Sequence, residues 1–197
     1  MNLITVKNKK LRLQDVMNVP EMQLYLADKS HFKKTHTERF ECWLYAWVGG
    51  QALARYIIDN PDVVKDKIVV DLASGSGIVG IAAKLAGAKR VICVDDYDPC
   101  IECIKINSTA NNVEIEALQQ DIFECDIEAD LYLLGDPFLD VNALPKIKDK
   151  FSPTLAGCPD RLPHYIAYRN NTIHTYKMKT KFDEYNEYDV HIWWLND

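Results

Sequence analysis

Residues 68–98 read IVVDLASGSGIVGIAAKLAGAKRVICVDDYD, and this stretch decides the fold. Ile68-Val69-Val70 is a short β-branched apolar run, as a strand buried on both faces requires. Ala73-Ser74-Gly75-Ser76-Gly77 follows at once and is too small and flexible to prolong it. Ile78, Ile81, Ala82 and Leu85 then recur at helical spacing, and Gly87 ends that helix. Val91-Ile92-Cys93-Val94 is a second buried strand, closed by Asp95, Asp96 and Asp98. Strand, turn, helix and strand make half of a doubly wound sheet. Ligands bind such sheets beyond the carboxyl ends of the strands.

The glycines let a backbone turn approach a ligand closely, with N–H groups opening the next helix. An acid ending the second strand is placed to hold the two hydroxyls of a ribose, so the stretch calls for a nucleoside-containing cofactor. Gly75-x-Gly77-x-x-Gly80, with Asp96 about 20 residues on, formally fits a dinucleotide fingerprint. Against that stands Asp71, which closes the first strand and is separated from Gly75 by three residues. The resulting D-x-x-x-G-x-G resembles the first motif of class I S-adenosylmethionine (SAM) methyltransferases. There the acid lies near the aminoacyl part of SAM, and Ala73 stands where the first glycine is usual. A glycine turn with no ligand, and a dinucleotide site, stay open as alternatives.

At 197 residues the chain is long enough for one domain with a sizeable core, and its 48% hydrophobic and 26% charged content is ordinary for a globular protein. No run reaches the roughly 18 apolar residues of a membrane span. MNLITVKNKKLRLQ lacks the apolar block of a signal peptide, so no membrane partner and a cytoplasmic home are the expectations. Cys100-x-x-Cys103 has no second pair and falls on a predicted helix, which favours packing over zinc. The net charge of −6 is unevenly spread: +4 over residues 1–40, −11 over 41–142, +6 over 143–181 and −5 over the remainder. An acidic block around the glycine turn favours a cationic substrate and disfavours nucleic acid; solvated loop acids are the plainer reading.

Residues 1–40 read as an N-terminal extension packed on the domain formed by 41–197, with one short strand at Glu21–Leu26. Trp43, Tyr45 and Trp47 make an aromatic cluster suited either to cover a ligand or to fill a core. Gly49-Gly50 reads as a break and Gln51–Asp59 as a helix. Downstream, the pattern predicts a helix over Pro99–Asn111, strands over Glu114–Leu118 and Ala129–Gly135, and a terminal antiparallel pair over Thr172–Lys179 and Val190–Leu195.

Trp47-Val48-Gly49-Gly50-Gln51-Ala52-Leu53-Ala54-Arg55-Tyr56, followed by Asp71-Leu72-Ala73-Ser74-Gly75-Ser76-Gly77, resembles the electron transfer flavoprotein β-subunit lysine methyltransferase family. Pro20-Glu21-Met22-Gln23-Leu24-Tyr25-Leu26-Ala27-Asp28 resembles its bacterial branch. The resemblance implies an α/β fold: a Rossmann-like seven-stranded sheet, mostly parallel with an antiparallel C-terminal strand, and helices on both faces. It implies SAM as cofactor and methylation of a protein lysine, with electron transfer flavoprotein β or a ribosomal protein as first suspects.

The cofactor residues implied are Trp47 as a lid, then Asp71, Ala73, Ser74, Gly75, Ser76 and Gly77 on the aminoacyl side. Asp96 and Tyr97 belong at the ribose, and Asp121 and Ile122 at the adenine. Asp136 and Phe138 would orient the incoming amine, with Asp140 beside them. Leu139 replaces a tyrosine of the family pattern. The family's G-D-P-G-R after the fifth strand reads Gly157-Cys158-Pro159-Asp160-Arg161. Asp136-Pro137-Phe138 is also a partial match to the [DN]-P-P-[YF] of amino-methylating nucleic acid enzymes. Three classes therefore remain: a protein-lysine methyltransferase, a small-molecule or nucleic acid N-methyltransferase, and a degenerate non-catalytic SAM-binding module.

Overall fold

The chain opens with an antiparallel meander in which β1 (Leu3–Val6), β2 (Lys9–Val16) and β3 (Val19–Ala27) pair in sequence order. The computed structural model describes residues 3–28, 42–136, 142–160, 168, 170–180 and 187–196. Lys7 and Asn8, at φ 44° and 66°, form the two-residue turn between β1 and β2, the geometry that matches the twist of a hairpin. The sequence reading found one strand here, because neither turn carries the Gly that usually marks it.

α1 (Val48–Asp59) leads into β4 (Ile68–Leu72), α2 (Ile78–Leu85), β5 (Arg90–Asp95), α3 (Asp98–Ala110), β6 (Glu116–Gln119), β7 (Leu131–Gly135), α4 (Ala143–Lys150) and β8 (Thr154–Pro159). β9 (Thr172–Lys179) and β10 (Glu187–Trp194) close the described chain. A seven-stranded sheet runs β6-β5-β4-β7-β8-β10-β9. Its first five strands are parallel, and β10 is antiparallel to both neighbours. This is the sheet the sequence implied, and β9 and β10 are the expected terminal pair.

The alternation of side chains sorts two layers. Val69, Val91, Cys93, Leu131, Leu133 and Leu155 face α1, α2 and α3. Val70, Leu72, Ile92, Val94, Leu134 and Ala156 face the other way, onto Leu144 and Ile147 of α4. The meander packs on the outside of α3, where Val6, Leu11 and Ala27 meet Cys100, Cys103, Trp43, Leu44 and Tyr45. Cys100 and Cys103 thus lie on a helix and are buried.

Two readings are corrected. Gly49-Gly50 is no break: both residues lie inside the first turn of α1. Their smallness serves close packing, since a Cβ on Gly49 would meet Gly157 O at 2.5 Å and Asp136 Cα at 2.9 Å. Gly157-Cys158-Pro159 does not follow the fifth strand but belongs to it, in β8. Cys158 points into the α4-side core with Trp193 and Phe151, so an apolar interior takes the position where the resemblance expected an acid. Arg161 lies outside the described residues. Among the described residues no helix is long and apolar enough to cross a membrane.

Candidate cofactor and methyl-transfer site

The glycine turn hangs between the ends of β4 and β5. Gly75 and Gly77 adopt φ 54° and 80°, which only glycine takes without cost, and Ala73 is forced to φ 53°. Asp71 is the last residue but one of β4, with 1% exposure. Its Oδ2 accepts the N–H of Gly80 at 2.9 Å, so the carboxyl caps the first turn of α2. Burial, more than any other influence, lifts the Asp71 carboxyl to about 7; the nearby Asp95 adds to this and the Gly80 N–H opposes it. Burial also pushes the adjoining Cys93 thiol well up. Gly80 completes the fingerprint for a packing reason, because a Cβ there would collide with Cys93 Sγ.

The two acids at the end of β5, Asp95 within it and Asp96 just beyond, divide their tasks. Asp95 is buried, and its carboxylate accepts the N–H groups of Gly75 at 2.9 Å and Tyr97 at 3.1 Å. Asp96 is exposed at the cavity rim. The geometry thus gives Asp95 to the turn, a role the sequence reading did not see, and leaves Asp96 facing the cavity. Asp121 accepts the N–H of Phe123 at 2.8 Å, capping a short 3-10 turn, and lines the cavity as well.

On the opposite side, the start of α1 abuts the ends of β7 and β8. Gly49 N donates to Asp136 Oδ2 at 2.9 Å, and Asp136 N donates to Gly157 O at 2.8 Å. Asp136 is 6% exposed and sits at φ 55°, a conformation Asp tolerates better than most residues. A Cβ on Gly135 would lie 2.8 Å from Val79 Cγ2 and 3.0 Å from Gly50 Cα. Trp47 N-caps α1, half-buried, with its ring edge-on to Tyr45 at 5.8 Å. Gln51 steadies this entry, donating to Ala46 O at 2.6 Å and accepting from Asn18 Nδ2 at 2.7 Å.

These elements enclose one cavity of about 460 Å³, in the range of sites for small molecules. Trp47, Asp71, Ala73, Ser74, Gly75, Ser76, Asp96, Tyr97, Asp121, Ile122 and Asp136 all line it. Gly77 does not: its Cα faces Ile104 of α3. Phe138 and Asp140 lie outside the described residues. Sequence reasoning missed Asp95, Phe123, Gly50 and Gly135 as lining residues, and took Trp43 and Tyr45 only as members of an aromatic cluster. Five carboxylates (Asp71, Asp95, Asp96, Asp121, Asp136) converge on the cavity, and among the described residues no Lys, Arg or His lines it. Trp43 lines it too, 1% exposed, with an indole N–H that has no hydrogen-bond partner among the described residues. A pyrophosphate would meet repulsion from these acids; a positively charged nucleoside ligand fits.

The strand order reverses between β4 and β7, and the cavity lies beyond the carboxyl ends of those strands, where this sheet type binds ligands. A candidate RNA methyltransferase from Pyrococcus horikoshii superposes with a TM-score of 0.61 at 19% identity, over 84% of this chain and 92% of that one. Magnesium protoporphyrin IX methyltransferase from Synechocystis, with bound SAM, gives 0.57 at 13% identity over 75% and 80%. The fold is that of the class I methyltransferases. Within that fold, the family model described as ribosomal protein L11 methyltransferase (PrmA) matches residues 51–133. The human electron transfer flavoprotein β-subunit lysine methyltransferase is 45% identical over 101 residues, 50% of this chain and 38% of that protein. The resemblance read from the sequence is therefore borne out. The chain spans half or less of the length of the first curated relatives it matches.

Proposed function

We propose that this chain is a SAM-dependent methyltransferase acting on a lysine side chain of a protein. One observation carries the cofactor choice: five carboxylates and no described cationic side chain line the cavity beyond the parallel strands. SAM is a cationic nucleoside and meets that field favourably, whereas NAD brings two phosphates to it. The substrate class rests on the relatives, whose names specify lysine methylation of electron transfer flavoprotein β. That protein and ribosomal proteins are the first partners to test. A cytoplasmic setting suits Cys93, Cys100, Cys103, Cys125 and Cys158, all of them free thiols.

When bound, SAM supplies an electrophilic methyl on a positively charged sulfur. Asp96 at the rim accepts the ribose hydroxyls, and Asp121 accepts the adenine amino group. Asp71 faces the aminoacyl end, and Trp47 covers the cofactor. Asp136 sits at the end of β7, one carboxylate oxygen fixed by Gly49 N–H, and draws the target ammonium into line. An ordinary lysine holds its proton with a pKa of about 10.4, and a nearby carboxylate raises it further. Asp136 therefore orients the amine, and the proton leaves to water before transfer. Phe138 and Asp140, adjoining in sequence, complete this end of the assignment.

Calorimetric titration with SAM, with NAD alongside, tests the cofactor. Micromolar SAM binding and a silent NAD trace are expected; the reverse overturns the reading. Asp96→Ala should weaken SAM binding roughly tenfold to a hundredfold, as loss of hydrogen bonds to a charged group does. Asp136→Ala should leave SAM affinity largely intact and depress labelled-methyl transfer to protein. Label entering RNA or small molecules instead of protein would move the reading to the other substrate classes.

A further inference from the structure

We propose that Asn107 is a positioning residue that holds the glycine turn in its ligand-ready shape and ties that turn to the N-terminal meander. Asn107 lies in the last turn of α3 and is 0% exposed. Its Nδ2 donates to Ser76 O at 2.9 Å, and its Oδ1 accepts the N–H of Tyr25 in β3 at 2.7 Å. One side chain thus spends both ends of its amide on two backbones distant in sequence. Burying so polar a group is costly unless both ends are satisfied, and here each is. One helical turn on, Asn111 accepts Gln23 N–H at 3.0 Å and donates to Gln23 O at 2.6 Å. α3 therefore presents two side-chain amides to β3 much as a neighbouring strand would, and the first of them reaches through to the turn.

Ser76 sits between Gly75 and Gly77, both at positive φ; the Gly77 N–H closes the turn on Ser74 O at 2.8 Å, and the Ser76 carbonyl at the other end of that peptide is the group Asn107 holds. The sheet side of the turn is held by Asp95, which takes Gly75 N–H at 2.9 Å, and by Ser74 Oγ, which donates to Asp71 O at 2.7 Å. Asn107 supplies the hold from the helix side and fixes the plane of the Ser76–Gly77 peptide. Because the same amide anchors Tyr25, ordering the turn also orders β3, and the coupling works in both directions. The effect on ligand affinity rests on the SAM reading above; the hold on the turn does not.

The experiment is amide hydrogen exchange on the full chain, with and without SAM, in the wild type, Asn107→Ala, Asn107→Asp and Asn111→Ala. Asn107→Asp keeps the volume and the acceptor for Tyr25 but loses the amide donor to Ser76, so it separates the two contacts should the alanine variant fail to fold. Without SAM, both Asn107 variants should speed exchange at Gly77 about tenfold or more, the consequence of losing one buried hydrogen bond. The β4 amides of Val70 and Leu72 should stay protected. Asn111→Ala should release β3 and leave the turn within about twofold. SAM should slow exchange at Tyr25 in the wild type, and its affinity should fall about tenfold in the Asn107 variants. Unchanged Gly77 exchange, or β4 loosening in step with the turn, would overturn the positioning role. If the turn loosens as expected while the wild type ignores SAM, Asn107 keeps its role and the cofactor reading falls.

Discussion

Ala73 holds a conformation that disfavours any residue with a Cβ. At φ 53° it costs about 1–2 kcal/mol relative to glycine, partly offset by the greater freedom glycine would have when unfolded. Ala73→Gly should therefore stabilise the protein by up to about 1 kcal/mol, read as a higher urea midpoint at unchanged slope. A loss of stability would mean that the methyl group has packing value in the cavity wall. Asp71 offers a second test at this scale. Its carboxyl is raised to about 7 against an ordinary 3.8, chiefly by burial. The folded state thus holds the proton more tightly than the unfolded one. The stability contributed by this group is fully present below about pH 3.8 and is lost as pH rises through about 7. A cation bound beside it favours the charged form, so SAM binding near pH 7 should release a fraction of a proton. Calorimetry in buffers of different ionisation enthalpy measures that release. Asp71→Asn should abolish it, and proton uptake would contradict the placement of Asp71 beside a cation.

Between elements, glycines set how closely helices approach the sheet. A Cβ on Gly80 would strike Cys93 Sγ and lie 3.3 Å from Asp71 Oδ2. Gly80→Ala should destabilise by about 1–3 kcal/mol, as overpacking does, and pairing it with Cys93→Ala should recover much of the loss. Additive losses in the double variant would place the strain elsewhere. This contact explains what was legible in the sequence and what was not. β4 and β5 were readable because an apolar β-branched run between turn residues has few other fates, and Gly75 and Gly77 because their φ values demand glycine. The start of α1 was misread, since Gly49-Gly50 signals a break to any local rule. What fixes those residues is the backbone of Gly157 and Asp136, more than 80 positions away in sequence by the spacing of the Gly49–Asp136 hydrogen bond. Asp95 escaped notice for the same reason: its partner, the Gly75 N–H, becomes visible only when β4 and β5 lie side by side.

Across the whole molecule, charge is sorted in a way that local contacts do not require. The block from 41 to 142 carries −11 and houses the cavity, while residues 1–40 carry +4 and 143–181 carry +6. Ion pairs such as Arg55 with Glu21 and Asp59, each at 2.7 Å, stitch β3 to α1 at the surface and contribute little steering. The five carboxylates at the cavity act together, and a concave wall of one sign concentrates oppositely charged partners. A lysine-bearing segment rich in basic residues should therefore associate faster than a neutral one, and salt should remove the advantage. The Debye length shrinks from about 30 Å at 0.01 M to about 10 Å at 0.1 M. Transfer to a basic protein substrate should consequently lose about tenfold in kcat/KM over that range and somewhat beyond it. The kcat at saturation should change little, because the orientation proposed for Asp136 would operate at contact distance. The measurement is a labelled-methyl assay across a salt series, with basic and acidic variants of one target segment compared at each step. If the acidic variant is preferred at low salt, the basic stretch after residue 142 is the docking surface instead, and the acidic cavity serves the cofactor alone.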